Sequence, residues 1–289
     1  MKQILWGFFK KCVVADSCAL YVDKVFDAYS TLNSSTLVYA IIVYAFQIYA
    51  DFSGYSDMAI GVAKLFGFKT RMNFNLPYFS RNIAEFWRKW HISLTSWFTD
   101  YVYIPLGGSR CSKVRVILNT FIVFLASGLW HGANWTFVAW GCYHALLYIP
   151  LVVSGRRRKY CEVVAASGSL PSVKEFLQML MTFTWTLPGW ILFRSKHLHQ
   201  AIDYMVSICD GSLLSVPWLF SKDYYLPIIL SVLLMVVVEW RHRIDTSNFS
   251  PLIGNKYLRY SAYVLLATVT GFFFFYHLNT GDNFIYMNF

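Results

Sequence analysis

Two histidines stand beside tryptophans at points where the apolar pattern of this chain is interrupted. His131 lies in residues 130–135 (WHGANW), and His91 follows Trp90 in a second irregular stretch. A buried imidazole stays neutral, and a neutral imidazole next to a hydroxyl can take its proton as a general base. For one buried histidine alone, the competing interpretation is packing between helices. Two Trp-His pairs at two breaks favour a catalytic pair.

Apolar segments must position these residues. The chain has 289 residues, of which 57% are hydrophobic and 14% charged, whereas soluble domains carry about 25% charged residues. Apolar runs of about 20 residues recur, which is the length that crosses a bilayer as a helix. We predict an all-α, polytopic integral membrane bundle, because the runs are continuous and lack the alternation of a membrane β-barrel. The net charge of +10 lies in short loops between these runs, so we predict no nucleic-acid partner.

The predicted membrane segments form one integral domain, residues 1–289. The first of them is the weakest. We predict no cleavable signal peptide over residues 1–22, because Lys10 and Lys11 lie in their middle and no small-residue cleavage site follows. The segments are 3–22, 36–66, 114–130, 135–154, 174–194, 224–240 and 258–278.

The loop charges predict the orientation of these segments. Lysine and arginine are enriched in 67–113, 155–173 and 241–259, and such loops stay in the cytoplasm. Loops 22–36 and 195–223, and the C-terminal tail, then lie outside. The two segments that flank WHGANW must therefore leave and return as a tight helical hairpin with His131 near its tip. Irregular backbone at that depth is tolerated only inside protein or beside a wet cavity.

Residues 67–113 mix aromatic and cationic side chains and contain no apolar run long enough to span. Tryptophan and tyrosine settle at membrane interfaces. We predict that residues 81–100 form an interfacial or re-entrant amphipathic helix, which Pro105 and the glycines at 107 and 108 then end.

Asp51 and Asp57 lie inside an otherwise apolar run, where carboxylates are costly and face the bundle interior or a cavity. One interpretation is capping of a helix break at Gly54; the other is the polar wall of a substrate tunnel. A metal site would need a third ligand such as Asp51, Asp57 or His144, and no ligand spacing links these residues. A hydrolase triad through a serine of this run lacks a nucleophile elbow. We predict no metal, no bound cofactor and no disulfide framework.

Three long runs resemble the membrane-bound O-acyltransferase family, in particular its bacterial alginate O-acetyltransferase branch. They are YADFSGYSDMAIG (49–61), FWRKWHISLTSWFTDYVYIPLGGSR (86–110) and SGLWHGANWTFVAWG (127–141). The stretches GFFKKCVVAD (7–16), PGWILFRSKHLHQAIDYM (188–205) and NFIYMNF (283–289) are also similar to that branch. Members carry further helices before the part that matches GFFKK, so the resemblance implies that this chain lacks them.

The resemblance implies a helical fold around a tunnel and an activity. His131 matches the family's catalytic histidine and His91 the second histidine of this branch. Acetyl-CoA is the implied donor, and an exported polysaccharide such as alginate the implied acceptor. A periplasmic acetyltransferase is the implied partner and the bacterial inner membrane the implied location. We assign the remaining polar and aromatic candidates to the tunnel wall: Trp90, Trp130, Asn134, Trp135, Tyr55 and Asp57.

The alternative function is a transporter or channel subunit that passes the acyl group or the glycan to a periplasmic acetyltransferase without chemistry of its own. The two histidines would then relay protons or bind cargo.

The D-alanyl-transferring members of the family, which modify teichoic acids, lack the PLGG of YIPLGGSR. The presence of PLGG in this chain therefore favours acetyl transfer.

Overall fold

A computed structural model of the chain describes residues 1–166, 168–218, 222–244 and 254–278, and within these residues it contains helices and no strands. Six helices are long and apolar enough to cross a membrane, which confirms the all-α polytopic class. They are α3 (Ser34–Leu65), α6 (Lys113–His131), α7 (Trp135–Val153), α8 (Val173–Arg194), α10 (Lys222–His242) and α11 (Lys256–Leu278).

Five shorter helices complete the described part. They are α1 (Lys2–Phe8), α2 (Asp16–Asp27), α4 (Ile83–Lys89), α5 (Ile92–Phe98) and α9 (Leu198–Ile208), with π-helical turns at Phe9–Ala15 and Thr99–Tyr103. The predicted segment 3–22 is thus helical but is not among the six candidate spans. The tail 279–289, predicted to lie outside the cell, is beyond the described residues.

The chain divides into two compact units. The terminal unit comprises residues 1–72 and the described part of 207–289, and the central unit comprises Asn73–Val206. The interpretation of residues 1–289 as one domain stays a prediction.

Helix α3 is the buried centre of the terminal unit. An 18-residue window of α3 is 72% buried, against 6% for α11. Backbones approach closely where α1 crosses α3, because a Cβ on Gly7 would lie 2.5 Å from the carbonyl oxygen of Gly54. Helix α3 runs without interruption through Gly54, so the helix break that Asp51 was expected to cap does not exist.

Buried lysines of the first π-helical stretch pair with carboxylates of this unit. Lys10 Nζ lies 3.0 Å from Asp57 Oδ2 and 2.7 Å from Glu239 Oε1. Lys11 Nζ lies 2.6 Å from Asp16 Oδ1 and 3.0 Å from Asp51 Oδ1. The two lysines within the predicted segment 3–22 are therefore paired with carboxylates inside the fold.

In the central unit, α6 and α7 form the predicted tight hairpin. Gly128 and Gly141 bring the two backbones together: a Cβ on Gly128 would lie 2.3 Å from the Phe137 carbonyl oxygen, and one on Gly141 2.5 Å from that of Phe124. Small residues at such positions are typical of close helix contacts in membranes.

The predicted single helix over 81–100 is wrong in one respect, since it is broken at Trp90 and His91 into α4 and α5. The break is held by distant backbone: Asn75 N donates to Lys89 O at 2.9 Å, and Ile92 N to Asn73 O at 2.9 Å. The predicted end near Gly107 and Gly108 is confirmed, because both glycines have positive φ, at 104° and 56°, in the turn that follows the second π-helical stretch.

Candidate active site

His131 is the last residue of α6, and the turn after it requires glycine. Gly132 has φ 154°, a conformation that side chains rarely adopt, and a Cβ there would lie 2.8 Å from the Phe137 ring. Asn134 then starts α7, since its side chain accepts a hydrogen bond from Thr136 N at 3.1 Å. The WHGAN sequence therefore ends one helix and begins the next with His131 fixed at the junction.

Aromatic rings surround the His131 imidazole. Ring centroids lie 5.4 Å away for Trp140, 5.0 Å for Phe193 and 4.9 Å for Trp130, all with edge-to-face geometry. The imidazole is held by packing on three sides.

His91 occupies the break between α4 and α5 with a left-handed backbone, φ 44°. Histidine is among the few residues that adopt this conformation, and such strain clusters at functional sites. The Trp130 ring lies 6.1 Å from the His91 ring as well as next to His131. The two predicted histidines therefore share a neighbour.

A single cavity of about 870 Å³ in the central unit contains both histidines in its lining, together with Trp90. On α6 the lining residues recur at helical spacing, as Thr120, Phe124, Ser127 and His131. The rise of 1.5 Å per residue places Thr120 about 16 Å from His131 along this wall. The cavity is thus an elongated space that follows one face of α6.

The cavity is cationic near the start of α6, where Asn119 Nδ2 donates to Leu106 O at 3.0 Å beside the turn that precedes Arg110. Arg88, Arg110, Arg157 and Arg158 line it, and in the described part of the chain none of the four forms an ion pair with a carboxylate. Arg157 instead donates to Ser109 Oγ at 2.9 Å, and Arg88 to Tyr160 O at 2.6 Å. The uncompensated charge makes this end suitable for an anionic ligand.

His91 is neutral at pH 7. Burial lowers the pKa of His91 to about 4, because the charged imidazole loses hydration. Histidine in this state can accept a hydrogen bond or a proton.

The other predicted tunnel residues do not line this cavity. Trp130 and Trp135 are 56% and 75% exposed at the hairpin tip, and Asn134 Nδ2 donates to Lys196 O at 2.9 Å. Tyr55 and Asp57 belong to the terminal unit, where Asp57 is paired with Lys10. Their assignment to a tunnel stays a prediction.

Sequence reasoning missed several lining residues. Trp140 lies within an apolar stretch and Trp87 within the mixed aromatic and cationic segment 67–113, and in neither does the sequence mark the face that meets a cavity. Arg157 and Arg158 lie in a basic run that is equally typical of a cytoplasmic loop. No signal in the sequence distinguished a ligand-facing arginine from one that sets topology.

Comparisons with known proteins show the family of the chain. Residues 2–185 match the model of MBOAT, the membrane-bound O-acyltransferase family. The chain is 40% identical over 215 residues to the "Peptidoglycan O-acetyltransferase" of Helicobacter pylori, covering 71% of this chain and 39% of that protein. It is 39% identical over 199 residues to the "Probable alginate O-acetylase AlgI" of Pseudomonas aeruginosa, covering 69% and 36%.

The name of a less similar relative refers to a different acyl group, D-alanyl. The "Teichoic acid D-alanyltransferase" of Streptococcus thermophilus is 33% identical over 217 residues, covering 67% of this chain and 50% of that protein. The chain matches about two fifths of the length of its acetyltransferase relatives. The matched region contains the helical hairpin and both histidines: this chain belongs to the membrane-bound O-acyltransferase family.

Proposed function

We propose that this protein transfers an acetyl group from a thioester donor to a hydroxyl of an exported polysaccharide. The observation that carries the proposal is one cavity lined by two histidines and by four arginines that form no ion pair with a carboxylate of the described residues. His131 ends α6, whereas Arg157 binds Ser109 in the turn that precedes α6. A base at one end and an anion site at the other suit a donor that is charged at its tail and reactive at its head.

His131 is the general base of the proposed reaction. Its imidazole takes the proton of the acceptor hydroxyl while the hydroxyl oxygen attacks the thioester carbonyl carbon. A C–O bond forms, the C–S bond then breaks, and the imidazolium returns the proton to the leaving thiolate. The products are an ester and a free thiol, so His131 is regenerated.

His91 contributes to the same step as a neutral group. It lines the same cavity, and its backbone is held in the left-handed region at φ 44°. In our proposal it orients the donor or shares the proton with His131. The surrounding indoles exclude water, which would otherwise hydrolyse the thioester.

We propose acetyl-CoA as the donor. The phosphates of coenzyme A would bind the four arginines, because guanidinium groups pair well with phosphate. Its thioester end would then extend along α6 towards His131.

The names of the relatives support a polysaccharide acceptor, since they print peptidoglycan, alginate and teichoic acid. We propose that the chain lies in a bacterial inner membrane with the arginines facing the cytoplasm. There it would work beside a periplasmic acetyltransferase.

The test is acetyl transfer by membranes that contain the chain, measured as thiol release from acetyl-CoA and as polymer acetylation. The host lacks other O-acetyltransferases. His131→Ala should lower both rates about a hundredfold to ten-thousandfold, which is the usual contribution of a general base. His199→Ala is the matched control, because the His199 side chain is 87% exposed and lies outside the cavity.

Full polymer acetylation in His131→Ala, or no thiol release by the wild-type chain, would overturn the proposal. Acetyl flux that persists in His131→Ala membranes would favour the transporter alternative.

A further inference from the structure

The acyl group of the donor must lie where the cavity reaches His131. Three indoles contribute to the cavity lining together with the two histidines: Trp87, Trp90 and Trp140. The remaining length of the cavity leads along α6 to the arginines and would be occupied by the rest of the donor. The space left for the acyl chain is therefore bounded by indole rings.

These three indoles are buried and pack against other rings. Trp140 is 1% exposed, Trp90 4% and Trp87 8%. The Trp87 and Trp140 centroids are 5.5 Å apart, and the ring of His144 lies 4.9 Å and 5.0 Å from them. Close-packed interiors do not open for a longer ligand without loss of contacts.

Trp90 is packed against four aromatic rings. Its ring lies 4.8 Å from Trp190, 5.0 Å from Phe74 and 5.4 Å from Phe86, and 6.0 Å from Tyr78. The rings behind it hold the indole in place against the cavity. Removal of the indole would create new apolar space that is continuous with the cavity.

We propose that this indole wall limits the donor to short acyl chains and that Trp90 is the residue that sets the length. This inference rests on the proposed acyl transfer and specifies its substrate class as a short-chain acyl thioester. In this proposal the acetyl group occupies the space in front of the wall, whereas a longer acyl chain would require a buried, ring-packed indole to move.

Trp90 is a better position for the test than Trp140. The Trp140 ring contacts the His131 ring directly, at 5.4 Å, so its replacement would also displace the base. Trp90 directly follows α4, and three of the four rings behind it, those of Phe74, Tyr78 and Trp190, lie outside α4.

The experiment compares acetyl-, butanoyl-, hexanoyl- and octanoyl-CoA as donors for membranes containing the chain. Trp90→Ala should raise the ratio of hexanoyl to acetyl transfer about tenfold or more, since single methylenes in apolar pockets carry discrimination of that size. Trp90→Phe, which retains a ring and disturbs folding less, should give a smaller shift that is largest for butanoyl-CoA. Trp97→Ala is the matched control, because Trp97 is 50% exposed and does not line the cavity.

The outcomes separate this inference from the proposed function. If wild-type transfer depends on His131 but neither Trp90 variant changes the ratio, the length assignment is wrong and the activity stands. An equal shift in Trp97→Ala would also overturn it. Efficient use of octanoyl-CoA by the wild-type chain would contradict the wall as a limit.

Discussion

At the scale of single residues, His91 is notable because its side chain is neutral while its backbone is strained. Burial lowers the pKa of His91 to about 4, whereas an unfolded histidine titrates near pH 6.5. Between these values the unfolded chain binds a proton that the folded chain does not. The free energy of unfolding therefore falls as the pH is lowered through this window.

We predict that His91→Gln reduces this pH dependence. The difference in unfolding temperature between pH 7 and pH 5, measured in detergent, should be smaller for His91→Gln than for the wild type. His199→Gln is the control, because the side chain of His199 is 87% exposed. An identical difference in wild type and His91→Gln would show that His91 is not protected from protonation.

Some residues of the candidate site could be predicted from the sequence and others could not. His131 and His91 were identifiable because an ionisable group at a break in an apolar pattern is costly and needs a reason. Trp140 and Arg157 were not, because their neighbours in sequence are equally apolar or equally basic. Which side of α7 meets the cavity depends on packing between helices that are distant in the chain.

At the scale of elements, the hairpin of α6 and α7 depends on two glycines. We predict that Gly128→Ala destabilises the protein by about 1–3 kcal/mol, the usual cost of overpacking, because the new methyl group would lie 2.3 Å from the Phe137 carbonyl oxygen. Acetyl transfer should fall as well, since His131 lies one turn further along α6. Thermal unfolding in detergent and thiol release measure the two effects.

Gly271→Ala provides the comparison within a helix. Nothing lies within 4 Å of a Cβ at Gly271 in α11, so alanine there should be neutral or stabilise the helix by up to about 1 kcal/mol. Equal unfolding temperatures for the Gly128 and Gly271 variants would refute the close helix contact.

The bounds of the helices also show which features the sequence predicts and which depend on distant partners. The predicted segments 114–130 and 135–154 agree with α6 and α7 within about two residues, because apolar length and the Gly-Ala-Asn turn are local signals. The break between α4 and α5 was missed, since it is held by backbone hydrogen bonds that Ile92 N donates to Asn73 O and Asn75 N donates to Lys89 O. Periodicity within 81–100 contains no information about those partners.

At the scale of the whole molecule, the arrangement of charges predicts an orientation in the membrane that two native cysteines can report. Cys161 and Cys209 are exposed, whereas Cys12 and Cys18 are buried. Cys161 lies in the basic loop 155–173, predicted to be cytoplasmic, and Cys209 in loop 195–223, predicted to lie outside. The orientation matters for function, because it places the arginines on the side where a cytoplasmic donor would enter.

We predict that a membrane-impermeant maleimide added to cells whose surface it can reach labels Cys209 and not Cys161. Permeabilised cells should show both labels, located by mass spectrometry of peptides. Cys209→Ser should remove the label from intact cells, and Cys161→Ser should leave it unchanged, because only the outer loop meets the reagent. Labelling of Cys161 in intact cells would contradict the predicted orientation. The arginine-lined part of the cavity would then face the outside, where cytoplasmic acetyl-CoA could not reach it.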